Sequence, residues 1–153
     1  MHLLPVLLLL TPTAHPWCAA QVGTVGGQKK ILFPSRDLDP GRYFLGADFG
    51  SAVAFPGDLD GDGNIDLAVG APEDDSGGLD GGAGWIFFLG AHGRATGEVK
   101  IAQGLGGFGG ALADGDFFGG SPAALGDLDS DGVGDLAVGA WRDGDGGTLY
   151  NGS

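Results

Sequence analysis

Two short stretches of this chain carry acidic side chains at a spacing that a metal ion can use. Asp58, Asp60, Asp62 and Asp66 fall within one nine-residue window, and Asp127, Asp129, Asp131 and Asp135 fall within another. Each window reads D-x-D-x-D-x-x-x-D, with carboxylates at positions 1, 3, 5 and 9. Position 6 is Gly63 or Gly132, where the chain must turn sharply. Position 7 is Asn64 or Val133, whose backbone carbonyl offers one more oxygen whatever its side chain. Four carboxylates held this close repel one another, and a hard divalent cation between them removes that cost. Ca²⁺ accepts about 6–8 oxygens at roughly 2.3–2.6 Å in flexible geometry, which such a loop and a water can supply. Mg²⁺ demands tighter octahedral geometry and sheds water reluctantly, so it fits less well. An EF-hand shares the early spacing but needs Glu at position 12 and flanking helices. Position 12 here is Val69 or Val138, so that reading fails. The remaining alternative is a solvated acidic turn without an ion, which the recurrence of the spacing disfavours.

The segments that must hold these loops are copies of each other. Phe49 to Pro72 reads FGSAVAFPGDLDGDGNIDLAVGAP, and Phe118 to Trp141 reads FGGSPAALGDLDSDGVGDLAVGAW. They align without a gap at an offset of 69, with 15 of 24 positions identical, too many for chance. Downstream, Asp74 with Gly77 and Gly78 is matched by Asp143 with Gly146 and Gly147. Ile65, Leu67 and Val69 alternate with Asp66 and Ala68, the period of a strand with two distinct faces. Trp85 to Leu89 is apolar throughout, as in a strand covered on both sides. For the first unit the pattern predicts strands near Ser51–Phe55, Ile65–Gly70, Gly84–Leu89 and Glu98–Ala102, each loop of acids lying between the first two strands. Four short strands per unit is the make-up of a propeller blade, and a blade must stack on neighbours to bury both faces. The expected fold is therefore all-β: a partial β-propeller with about one complete four-stranded blade and parts of two neighbouring blades, the first represented by Lys29–Phe33. Closed propellers need about four to eight blades, so the chain reads as a fragment.

Composition agrees and narrows the function. Among 153 residues there are 34 glycines and only 18% charged residues. Interior glycine costs a helix roughly 1 kcal/mol relative to Ala, so long helices are not expected. A net charge of −13 opposes binding to nucleic acid or anionic lipid. The run Leu3–Leu10, followed by Cys18-Ala19-Ala20 before Gln21, has the layout of a secretory signal peptide, too short to span a bilayer. No Lys or Arg precedes it, a departure from that layout, and the alternative is a buried N-terminal strand or helix. Removal of residues 1–20 takes the single cysteine, Cys18, with His2 and His15, and leaves His92 as the one histidine. That excludes internal disulfides, a Cys/His zinc site and a Cys–His nucleophile from the mature chain. Asn151-Gly152-Ser153 is a glycosylation sequon. Gly104–Gly110 reads as an inter-strand turn, since no lysine follows and no helix opens there, and His92 reads as an exposed turn residue.

Phe49-Gly50, the acidic loop and Val69-Gly70-Ala71-Pro72 together resemble the FG-GAP repeat of integrin α-chain propellers and other secreted proteins. Phe118-Gly119 and Gly126-Asp127-Leu128-Asp129 open a second, similar unit, and the resemblance covers about residues 28–153. It implies a seven-bladed propeller when complete, with Ca²⁺ held by Asp58, Asp60, Asp62, the carbonyl of Asn64 and Asp66. The second set is Asp127, Asp129, Asp131, the carbonyl of Val133 and Asp135. In such repeats the ion stiffens the blade and is not catalytic. The division expected is a signal peptide at 1–20, an outer strand and linker at 21–48, a first unit at 49–117 and a truncated second unit at 118–153. The function expected is a calcium-binding, non-catalytic, secreted interaction module for a protein or glycan ligand, with no nucleic acid and no membrane span. The alternatives are a fragment of a secreted hydrolase with its catalytic domain elsewhere, or a structural repeat of a large surface protein. Ser130 in place of Gly61, and Pro122 within the second unit's first strand, depart from the first unit's pattern.

Overall fold

A computed structural model describes residues 46–144. The N-terminal segment with its leader-like run, the strand expected at Lys29–Phe33 and the sequon lie outside the described residues. Four strands, β1 (Val53–Gly57), β2 (Asp66–Ala71), β3 (Ala83–Gly90) and β4 (Arg94–Ile101), form one antiparallel meander in the order β1-β2-β3-β4. Two more, β5 (Phe118–Gly126) and β6 (Asp135–Ala140), form a second antiparallel pair. The architecture is all-β, and the four-stranded meander is one whole blade.

The pleat sorts the side chains of the first sheet. Leu67 pairs with Phe87 and Val69 with Trp85 across β2 and β3, so these four share a face, and all are buried. Leu89, Ala71, Ala83, Ala102 and Ala47 complete that cluster. Phe49 stands edge-on to both Trp85 (centroids 6.3 Å apart) and Phe87 (6.1 Å), while Trp85 and Phe87 stack at 6.2 Å. Edge-to-face and stacked rings contribute about 0.5–1.5 kcal/mol each beyond area burial. The opposite face carries Ala68, Gly70, Gly84, Ile86 and Ile101, and a narrow cleft there is closed by Pro122, Leu136 and Val138 of the second sheet. Every residue of β2 is buried and nearly every one of β3, because blade stacking covers both faces of the central strands.

The two sheets meet backbone to backbone, which explains why glycine occupies their contact points. A Cβ on Gly70 would lie 2.0 Å from the carbonyl oxygen of Gly119, and one on Gly119 would lie 2.0 Å from that of Ala83. Within the first unit, Gly50 N–H donates to the Gly70 carbonyl (2.8 Å) and Gly70 N–H donates to that of Ala52 (2.9 Å). The Phe-Gly at the start of the unit is thereby tied to the Val-Gly-Ala at the end of its second strand. Phe118 N–H donates to the Gly81 carbonyl (3.0 Å), and Phe117 N–H to that of Asp80 (3.1 Å), fastening the second unit to the loop before β3. Pro122 sits within β5 opposite Val138, where it is tolerated because β5 is an outer strand of its sheet and proline lacks only the ladder donor.

Candidate metal centre

Each acidic window is the connection between an antiparallel pair, β1–β2 in the first unit and β5–β6 in the second. Asp58 is the hub of the first. Its Oδ1 accepts from the N–H groups of Gly61 (2.8 Å) and Asp62 (3.1 Å), and its Oδ2 accepts from Gly63 N–H (2.8 Å). Local bonds of this kind from an Asp side chain to backbone a few residues on fold the chain into a tight turn. Asp127 repeats the pattern, accepting from Asp131 N–H (3.1 Å) and Gly132 N–H (2.9 Å). The turn requires left-handed backbone at position 4, where Gly61 has φ 78° and Ser130 has φ 65°. The serine therefore carries roughly 1–2 kcal/mol of strain that the glycine does not.

The loops bring three of the four predicted carboxylates together. Oxygens of Asp58, Asp60 and Asp66 lie within 4.8 Å of one another, and so do those of Asp127, Asp129 and Asp135. Asp62 and Asp131 stand apart from these clusters. Asp62 Oδ1 accepts from the backbone N–H of Asn64 (2.8 Å) and from its Nδ2 (2.9 Å), and Asp131 Oδ1 accepts from Val133 N–H (2.7 Å). Asn64 and Val133 follow in the same turns, with their N–H groups used in this way.

Asp66 is the most constrained member. It is fully buried, its Oδ2 accepts from Leu59 N–H (2.7 Å) and its Oδ1 accepts from Leu89 N–H of β3 (2.8 Å). The contribution of Leu89 is not visible in the sequence, because a backbone donor belongs to every residue type except proline. Asp60 is pushed above its ordinary carboxylate value by desolvation in the turn and by the charges of Asp62, Asp66 and Asp58, against a lowering bond from Asp62 N–H. Since its side chain is open to water, the like charges are the firmer cause.

The clustered side chains are carboxylates alone, three per loop, with no His or Cys among them, which fits a hard cation such as Ca²⁺ and not a soft one. At the other end of the blade, Lys100 Nζ reaches both carboxylate oxygens of the buried Asp74 at 2.7 Å and also Ser76 Oγ. It lies 5.2 Å from the Trp85 ring as well. This pair closes the loop before β3 and leaves Asp74 engaged.

Residues 49–87 match the FG-GAP repeat family. The chain carries an FG-GAP repeat. Such repeats form β-propeller blades, and the meander of β1 to β4 is built as one. The chain is also similar to integrin alpha-5 of Xenopus laevis, 43% identical over 94 residues. That alignment takes in 61% of this chain and 8% of the relative, so the chain spans a small part of the protein it matches.

Proposed function

We propose that this chain is a calcium-binding, non-catalytic extracellular interaction module, a stretch of integrin α-like propeller that meets a protein or glycan ligand. The observation that carries it is the repetition of one oxygen-only cluster, Asp58–Asp60–Asp66 and Asp127–Asp129–Asp135, on equivalent connections of two stacked units. Ca²⁺ would supply positive charge that offsets the repulsion among these carboxylates. Asp58 and Asp127 shape their turns, Asp60 and Asp129 reach in from the exposed rim, and Asp66 and Asp135 tie the loop to the following strand. Asp62 and Asp131, with the carbonyls of Asn64 and Val133 as neutral ligands, would complete the set in this reading.

Propeller blades present loops from a rigid body, and a rigid loop loses less entropy on meeting a ligand. The acidic balance of the chain opposes nucleic acid as that ligand, and no helix among the described residues is long and apolar enough to cross a membrane. Residues 1–20 act in this reading as an export signal, which delivers the loops to a calcium-rich compartment. In this reading the first unit begins at Phe49 and the second at Phe118.

Thermal unfolding in Ca²⁺, Mg²⁺ or chelator tests the reading. A ligand present at 100 times its dissociation constant adds about 2.7 kcal/mol per site. A transition raised by Ca²⁺ and much less by Mg²⁺ is expected. A cooperative β-rich melt that ignores calcium would sink the metal assignment.

A further inference from the structure

We draw no further inference here: the strongest candidate, the surface patch after β6 in which Phe117, with left-handed backbone (φ 55°), and the exposed Trp141 bring their rings 5.2 Å apart with the Arg142 guanidinium over both, carries no proposal, because nothing in the structure shows what covers it.

Discussion

Replacing Asp66 by Asn tests whether the buried carboxylate holds the blade together before any ion binds. The change preserves shape and removes charge, and it turns one acceptor oxygen into an NH₂ group. Asp66 is fully buried and both its oxygens accept backbone N–H groups, so the amide must face either Leu59 N–H or Leu89 N–H with donor against donor. A hydrogen bond to a charged group contributes about 1.5–3 kcal/mol, and an unsatisfied buried donor adds to the loss. The expected destabilisation is about 2–3 kcal/mol, measured by urea unfolding in chelator to remove any contribution from metal. A neutral Asp66→Asn would refute the view that β3 locks the first loop through the Leu89 N–H.

Four further predictions concern the blade and its first loop. Lys100→Met removes the partner of the buried Asp74 and should cost about 3 kcal/mol in chemical unfolding, because a buried charge is left unpaired. Gly70→Ala forces a methyl group against the Gly119 carbonyl oxygen at 2.0 Å and should destabilise by more than about 3 kcal/mol. Gly61→Ala, which meets nothing and suffers only its left-handed backbone, should cost about 1–2 kcal/mol. Burial raises the Glu98 carboxyl above its ordinary range, and among the described residues its Oε2 has no hydrogen-bond partner. The folded chain thus favours the neutral acid, and Glu98 lowers stability once pH rises above the unfolded carboxylate value. Glu98→Gln should therefore stabilise the fold at pH 7, by less than about 1 kcal/mol since the group is partly solvated, and the gain, followed by chemical unfolding, should vanish near pH 4.

The strands β2 and β3 were legible because both rest on side-chain pattern: the alternation of Leu67 and Val69 with smaller residues, and the apolar run at Trp85–Leu89. Edge strands were read less well. The fourth strand begins at Arg94, four residues before the expected Glu98, because the ladder to β3 continues through Arg94-Ala95-Thr96-Gly97 without an apolar signal. The first begins at Val53 and not Ser51, since Gly50 and Ala52 are already engaged with Gly70 before the pairing proper starts. At the loops, spacing identified the acids but not which of them converge. Asp62 and Asp131 obey the same periodicity as their neighbours, yet their carboxylates turn to the backbone of residues 64 and 133. The strongest constraint on Asp66, the Leu89 N–H, could not be read, because a backbone donor leaves no mark in residue type. His92, expected in an exposed turn, does occupy one, with φ 65°.

The central claim, two calcium sites built from two copies of one acidic loop, is tested most directly by equilibrium dialysis of the full chain against Ca²⁺. Bound metal is counted per chain, alongside the double variant Asp60→Ala/Asp129→Ala. Two ions per unaltered chain, and a loss of both in the double variant with the blade still folded, is the result predicted. Calcium uptake that is absent, or unchanged in the double variant, would contradict it.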